Sequence, residues 1–217
     1  MIDYNVLATG SKGNCVIINK AIAIDMGVPF RALKDAYKDL QLILSTHIHG
    51  DHFNRTTITR LAQERPTLRW GIPDYLVGEA AELIPKQSID VLEHEQHYFY
   101  GNYLISPVSL VHDVQNTGYH ISLGIERENM FIATDTNSLD GIDAPGYDLY
   151  LIEANYSESE IVERIRRKQE AGEYCHEWAV LQNHLSREKA ESWLYRNMGV
   201  NSQYVFLHEH EEPEVSV

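Results

Sequence analysis

Three histidines and one aspartate fall within six residues of this chain, directly after a short apolar run (LILS) at positions 42–45. They stand in the sequence THIHGDH as His47, His49, Asp51 and His52. The apolar run predicts a buried strand, and side chains two residues apart point the same way in extended backbone, so His47 and His49 share one direction. Asp51 and His52 follow in a glycine-containing turn and can point elsewhere. The segment could therefore supply nitrogen ligands to one divalent cation and mixed nitrogen and oxygen ligands to a second; a solvated polar loop is the alternative interpretation.

Length and composition are those of an ordinary globular protein. The chain has 217 residues, of which 43% are hydrophobic and 23% charged, so we expect a single domain over 1–217 rather than a disordered chain. No apolar run approaches the ~18 residues that a membrane span needs. The N-terminal sequence (MIDYNVLATG) lacks the basic start and apolar stretch of a secretion signal, which predicts a cytoplasmic protein. The two cysteines, Cys15 and Cys175, are expected to be reduced thiols.

The net charge and the histidine content bear on the partners of the chain. With 18 Lys and Arg against 32 Asp and Glu, the net charge is −14. This charge argues against passive binding of the whole surface to nucleic acid or to an anionic membrane. It is compatible with an enzyme that meets a phosphate through metal ions and a local basic patch. The chain holds 11 histidines, so their positions decide the interpretation.

The order of the predicted elements favours two packed β-sheets with helices outside. Strands are predicted at residues 4–8, 15–18, 21–24, 42–45, 68–72, 97–100, 103–105, 119–125, 129–134, 149–152 and 203–207. Helices are predicted at 29–39, 55–65, 74–84, 157–171 and 187–197, the last with Ser186 as its N-cap. The chain begins with strands and continues with mixed strands and helices, without a regular βαβ alternation, which indicates an α+β fold.

The HxHxDH segment is the signature of the metallo-β-lactamase superfamily, and the chain resembles that superfamily along nearly all its length. The resemblance implies a four-layered αββα sandwich with further ligands at strand ends. His112, Asp135 and His208 match these ligand positions, and Asp25 matches the family's structural aspartate, which is not a metal ligand. Two cations sharing a nucleophilic hydroxide are implied. The first would be held by His47, His49, His112 and Asp135, and the second by Asp51, His52, Asp135 and His208, with Asp135 as the bridge and Asp51 also essential for catalysis.

Several segments resemble one branch in particular, the YycJ/WalJ-like 5′→3′ double-strand DNA exonucleases. They are the glycine/serine turn before Asn14-Cys15, the pairs His112-Asp113 and Gly118-Tyr119, residues 152–155 and residues 183–186. RNase Z, a more distant relative, has a comparable histidine before a helix that acts as proton donor, and the resemblance carries this role to His184. Glu153 and Asn155 are expected to support the site or to contact substrate. The chain departs from the branch after His208 and is shorter than its typical members.

The resemblance implies a metal-dependent hydrolase, and three hypotheses stay open. The first is a phosphodiesterase, in its most concrete form a nuclease acting on DNA, in which the hydroxide attacks phosphorus and His184 protonates the leaving group. The second is a small-molecule hydrolase on the same centre, cleaving a cyclic phosphodiester, thioester or lactone. The third is a non-catalytic metal-binding module. Zinc suits the histidine-rich sites, and manganese or iron also fits the donor set. The sequence leaves the oligomeric state open.

The other histidines and one basic run have plainer interpretations. Four histidines are expected to be surface or structural residues: His94, His97, His120 and His176. His210 lies two residues beyond His208 and is an alternative last ligand. The basic run on the predicted 157–171 helix favours a solvated face, with a phosphate contact as the alternative. It consists of Arg164, Arg166, Arg167 and Lys168.

Overall fold

The first β-sheet is built from the N-terminal part of the chain. The computed structural model describes residues 1–124 and 128–208. The six strands of this sheet lie in chain order: β1 (Tyr4–Ala8), β2 (Cys15–Ile18), β3 (Ile22–Ile24), β4 (Leu42–Leu44), β5 (Arg69–Pro73) and β6 (Ile89–Leu92). Strands β1 to β3 pair antiparallel, and β3 to β6 run parallel. The predicted β2–β3 hairpin is confirmed, with Asn19 and Lys20 both at positive φ in its turn.

The second sheet brings the ends of three parallel strands to one edge. Its strands are β7 (Tyr98–Tyr100), β8 (Tyr103–Leu110), β9 (Asn116–Leu123), β10 (Glu128–Ala133), β11 (Leu149–Glu153) and β12 (Gln203–Leu207), in the spatial order β12-β11-β10-β9-β8-β7. Strands β7 to β10 pair antiparallel, whereas β10, β11 and β12 are parallel. Because parallel strands end at the same edge of a sheet, Asp135, Glu153 and His208 are carried to one rim.

Three apolar clusters define four layers. The cluster between the two sheets packs Ile18 and Ile22 of the first sheet with Ile121 and Ile132 of the second. The outer face of the first sheet is covered by α1 (Arg55–Glu64) and by the segment containing α2 (Val77–Ala80). The outer face of the second sheet is covered by α5 (Arg187–Asn197), whose Trp193 packs there. The α+β class and the αββα layering predicted from the sequence are therefore confirmed.

The helix prediction for α5 is confirmed, whereas those for 29–39 and 74–84 are wrong. The backbone conformation within each segment explains the difference. Helix α5 has the predicted bounds, and Ser186 caps it by accepting a hydrogen bond from the backbone N of Lys189. The predicted 29–39 helix is wrong: two 3-10 turns, Phe30–Leu33 and Ala36–Lys38, are separated at Lys34, which has a φ of 47°. The predicted 74–84 helix is also wrong in extent, because only the 3-10 turn Asp74–Leu76 and the four residues of α2 are helical.

The remaining helices form a hairpin between β11 and α5. Helix α3 (Glu158–Ala171) was predicted, and α4 (Glu177–Asn183) was not. A last 3-10 turn covers Lys86–Ser88. The predicted strand end at Ile125 lies outside the described residues. Within the described ranges, no helix combines the length and apolar character needed to span a lipid bilayer.

Candidate metal centre

Asp25 holds the histidine-rich segment, residues 46–52, in place through hydrogen bonds to Thr46 and His52. It directly follows β3 and has a φ of 61°, an unfavourable conformation for a non-glycine residue that marks a specially held position. Its carboxylate accepts hydrogen bonds from the backbone N and Oγ1 of Thr46, each at 2.8 Å. It also accepts one from Nδ1 of His52 at 2.6 Å. The resemblance implied a structural aspartate here, and the geometry gives Asp25 contacts of that kind.

Three imidazoles converge in a first cluster. Nε2 of His47 lies 3.2 Å from Nδ1 of His49, and Nε2 of His112 lies 3.4 Å from the same nitrogen. Four ligands placed tetrahedrally at 2.0–2.1 Å from zinc are about 3.3–3.4 Å apart, so the observed spacing fits one cation. The three residues therefore match the chemistry of a histidine-rich metal site.

Hydrogen bonds to the other ring nitrogens prepare these imidazoles as ligands. Oγ1 of Thr46 gives its proton to Asp25, so at 2.9 Å from Nδ1 of His47 it accepts the proton of that nitrogen. Nδ1 of His112 donates to the backbone O of Asn183 at 3.0 Å. Nε2 of each ring is then left with its lone pair. Burial, with the neighbouring charge of His52, lowers the pKa of His47 to about 2, and burial lowers the pKa of His112, so both rings stay neutral at pH 7.

Asp135 lies between two groups of donors. Its Oδ2 is 3.4 Å from Nε2 of His47 and 2.6 Å from Nε2 of His52, which belong to the two predicted cation sites. Oδ2 of Asp51 is 3.7 Å from Nε2 of His52. Asp135 has a φ of 52°, and Asn116 holds its backbone O with a 2.7 Å hydrogen bond. A carboxylate in this position can serve two cations at once, as the sequence predicts.

Asp135 and His52 each shift the pKa of the other toward the charged form. Burial raises the pKa of Asp135, but the charge and the hydrogen bond of His52 outweigh it and hold that pKa well below the usual range. Burial lowers the pKa of His52, yet the charges of Asp25 and Asp135 reverse this and raise the pKa to about 10. A proton or a cation at Nε2 of His52 would each satisfy the carboxylate of Asp135, while the proton on Nδ1 stays with Asp25. The donor set is therefore suited to a divalent cation.

A third group of donors lies at the rim of the second sheet. Nδ1 of His208 is 3.3 Å from Oδ1 of Asp135 and 3.3 Å from Oε1 of Glu153. Nδ1 of His184 is 2.5 Å from the same oxygen of Glu153 and 3.9 Å from Oδ1 of Asp135. The structure thus places both histidines beside Glu153. The assignment of His208 as the last ligand and of His184 as proton donor stays a prediction, and His210 lies outside the described residues.

Glu153 and Asn155 support this third group. Glu153 has no exposed surface, and its Oε2 accepts from the backbone N of Thr136 at 2.7 Å. Nδ2 of Asn155 donates to the backbone O of His208 at 3.1 Å and lies 3.0 Å from Nδ1 of its ring. Both residues contact predicted functional histidines.

The α3–α4 hairpin delivers His184 to the site. The chain leaves and returns at one place, since the backbone N of Asn155 donates to Leu185 O at 2.9 Å. Helix α4 ends at Asn183, immediately before His184. Two members of the basic run are ion-paired: Arg166 binds Glu163 at 2.7 Å, and Lys168 binds Glu177 at 2.7 Å.

Sequence reasoning missed Asp113. Its Oδ1 lies 3.1 Å from Nε2 of His112 and 3.5 Å from Nε2 of His49, and its side chain is 46% exposed. The His112-Asp113 pair was visible in the sequence, but nothing local showed that the carboxylate would turn toward the histidines. The four histidines predicted to be surface or structural residues stand outside the three donor groups: His94, His97, His120 and His176.

Comparison with known proteins identifies the fold. No protein-family model matches the chain, and no curated protein matches it in sequence. Among solved structures, the metallo-β-lactamase fold protein YhfI from Bacillus subtilis is similar, with a TM-score of 0.73 and 14% identity over 100% of this chain and 88% of that protein. The short form of human tRNase Z matches with a TM-score of 0.71 and 14% identity over 96% of this chain and 92% of its own.

A third similar structure is a diphosphatase of the PhnP family, with a TM-score of 0.65 and 14% identity over 96% of this chain and 87% of that one. These likenesses show that the chain has the metallo-β-lactamase fold.

Proposed function

We propose that the chain is a dinuclear metal-dependent phosphodiesterase. The observation that carries the proposal is the Glu153–His184 pair. Nδ1 of His184 lies 2.5 Å from Oε1 of Glu153 and 3.9 Å from Oδ1 of Asp135. A phosphodiester has an alkoxide leaving group, whose departure is assisted by a proton donor. The tRNase Z and the diphosphatase that share the fold bear names that denote a ribonuclease and a phosphate-cleaving enzyme, which supports this class.

The proposed roles are those that the resemblance implies. His47, His49, His112 and Asp135 would hold one cation, and Asp51, His52, Asp135 and His208 the other. Two divalent cations, when bound, would lower the pKa of a water to supply the nucleophile and would neutralise the charge on the phosphate. Asp25 and Thr46 keep His52 and His47 oriented through their Nδ1 atoms.

His184 is the proposed proton donor to the leaving group. Its Nδ1 is occupied by Glu153, so Nε2 is the nitrogen that can face substrate. The side chain keeps 18% of its surface exposed, whereas Glu153 keeps none. Burial lowers the pKa of His184, but the hydrogen bond and the charge of Glu153 outweigh burial and raise it. The ring therefore carries a proton at neutral pH more readily than an ordinary histidine.

Within this class, the proposed substrate is DNA, as in the YycJ/WalJ-like branch. Turnover of linear duplex DNA by the zinc-loaded or manganese-loaded protein tests it, with bis(p-nitrophenyl) phosphate as a general phosphodiester probe. We expect cleavage of both, and loss of both activities in Asp51→Ala, which serves as the control for contaminating nucleases. Cleavage of the probe without cleavage of DNA would contradict the DNA substrate alone, and cleavage of neither would contradict the phosphodiesterase.

A small phosphodiester is the second candidate substrate. The half-exposed carboxylate of Asp113 stands beside the histidine cluster, and the ion pairs of Arg166 and Lys168 occupy basic groups that could meet a polyanion. Together with the net charge of −14, these are the features that support a small substrate as the alternative to DNA. Parallel assays with a cyclic mononucleotide, a thioester and a lactone separate the candidates.

A further inference from the structure

The turn between β1 and β2 contacts the proposed second cation site from one side. Asn14, near its end, is 6% exposed, so its side-chain amide is a buried polar group. Nδ2 of Asn14 lies 2.8 Å from Nε2 of His52 and 3.4 Å from Oδ2 of Asp51. Oδ2 of Asp51 can accept from Nδ2 and still bind a cation through its other lone pair, whereas Nε2 of His52 has a single lone pair, so Asn14 supports the second cation site through Asp51.

Contacts with Gly10 determine which way the amide of Asn14 faces. Oδ1 of Asn14 accepts a hydrogen bond from the backbone N of Gly10 at 2.8 Å, so Nδ2 is the atom that faces Asp51 and His52. Nδ2 also donates to the backbone O of Gly10 at 3.1 Å and to that of Asp51 at 3.2 Å. The backbone N of Asn14 donates to the O of Asp51 at 2.7 Å. Asn14 thus closes its own turn and ties it to Asp51.

Glycines let the turn lie directly against the Asp51 segment. A Cβ on Gly27 would lie 1.6 Å from the backbone O of Asp51 and 2.7 Å from the N of Asn14. A Cβ on Gly13, whose φ is +140°, would lie 2.8 Å from the O of Gly27. Only glycine allows backbone to approach this closely. The turn and the Asp51 segment therefore form one tightly packed unit.

The other end of the same turn holds His208. Oγ1 of Thr9 accepts a hydrogen bond from the backbone N of His208 at 2.7 Å, across 199 residues of sequence. His208 follows β12 with a φ of 56°, so this contact fixes a strained backbone position. Strand β1 belongs to the first sheet and β12 to the second. One turn therefore joins proposed ligands that stand on different sheets.

We infer that the Thr9–Asn14 turn is a positioning element for the second cation. Asn14 orients Asp51 from one side, and Thr9 fixes His208 from the other. The inference rests on the proposed dinuclear site and adds two residues that determine how tightly its second position binds. Loss of such supporting contacts lowers metal affinity about 10–100-fold. The first cation, on His47, His49 and His112, receives none of these contacts and should bind unchanged.

Competitive calorimetry tests the inference: the metal-free full chain is titrated with zinc ions. Metal analysis after dialysis then counts the zinc ions that stay bound. The variants are Asn14→Ala and Thr9→Val, and Lys12→Ala is the matched control because Lys12 is an exposed residue of the same turn. Thr9→Ser restores the hydroxyl acceptor. We expect a second zinc bound about 10–100-fold more weakly in Asn14→Ala and Thr9→Val, and unchanged in Lys12→Ala and Thr9→Ser.

Several outcomes would overturn the inference. Unchanged affinity for the second zinc in Thr9→Val would do so even if Asn14→Ala failed to fold. Equal weakening of both zinc ions, or equal weakening in Lys12→Ala, would indicate general destabilisation instead of positioning. A wild-type chain that bound a single zinc would contradict the dinuclear proposal itself, and this result is distinguishable because it appears before any variant is compared.

Discussion

Nδ1 of His184 lies 2.5 Å from Oε1 of Glu153, and Glu153 is completely buried. The other oxygen of Glu153 accepts from the backbone N of Thr136 at 2.7 Å, so the carboxylate cannot rotate away without losing that bond. A buried carboxylate on one ring nitrogen fixes the orientation of the imidazole and favours its protonated form. The pair is therefore built to keep a proton on Nε2 of His184, beside the proposed cations.

His184→Ala should keep both cations and lose turnover. A removed general acid costs ~10²–10⁴-fold in rate. A substrate whose leaving group is p-nitrophenolate needs little protonation, so the loss should be smaller for it than for a DNA phosphodiester. Steady-state kinetics on both substrates, with metal analysis, make the comparison. Equal losses on the two substrates would contradict the role of proton donor.

Glu153→Gln should change the pH dependence of turnover. His184 donates only when protonated, and its raised pKa keeps this form at higher pH; it is lost as the pH rises through that pKa. Removing the charge of Glu153 lowers the pKa, so the alkaline fall of kcat should move to lower pH. The kcat profile between pH 5 and pH 10 is the measurement. An alkaline limb in the same place would show that Glu153 does not control the proton of His184.

Asp51→Ala and His208→Ala should each release one cation per chain and abolish activity, while the protein stays folded. Each removes a ligand of the second position only, and the first position retains three imidazoles. His97→Ala is the matched control, because His97 is an exposed histidine that contacts Ser106 away from the donor groups. Metal analysis and circular dichroism give the readouts. Near-wild-type turnover in Asp51→Ala would contradict the two-metal mechanism.

His120→Phe should remove a pH-dependent part of the stability. His120 packs against the Phe131 ring at 4.6 Å between centroids, and its buried Nδ1 has no hydrogen-bond partner within the described residues. Burial lowers its pKa from 6.5 to about 4. A depressed pKa stabilises the folded state above pH 6.5, and this stability is lost as the pH falls toward 4.

The free energy of unfolding should show this difference directly. Between pH 7 and pH 4, His120→Phe should gain roughly 3 kcal/mol relative to wild type, which follows from about 1.36 kcal/mol per unit of pKa. Urea unfolding at the two pH values measures it, with His97→Ala as the exposed control. A difference between variant and wild type that does not depend on pH would contradict the buried neutral state of His120.

The sequence predicted those parts of the fold that local pattern controls. The bounds of β12 and α5 agree with prediction because local signals set them. An apolar run forms β12, and Ser186 caps α5. The 29–39 prediction failed at Lys34, where positive φ interrupts an otherwise helical pattern. Helix α4 was missed because it is only seven residues long, and it is stabilised by packing of Val180 and Leu181 against α3.

In the candidate site, too, only the contacts between residues close in sequence could be predicted. His47, His49 and His52 are close in sequence, so their convergence was predictable from spacing and from the strand before them. Contacts made over long distances along the chain were not predictable, because they depend on how the two sheets dock. The hydrogen bond between His208 and Thr9 spans 199 residues, and that between Nδ2 of Asn14 and the backbone O of Asp51 spans 37.

Asp135 is proposed to bridge two cations, and anomalous diffraction from crystals of the zinc-loaded protein tests this bridge. We expect two zinc peaks about 3.5–4 Å apart with the carboxylate of Asp135 between them. One peak should lie among His47, His49 and His112, and the other beside Asp51, His52 and His208. A single peak under metal-replete conditions, with Asp135 remote from it, would contradict the claim.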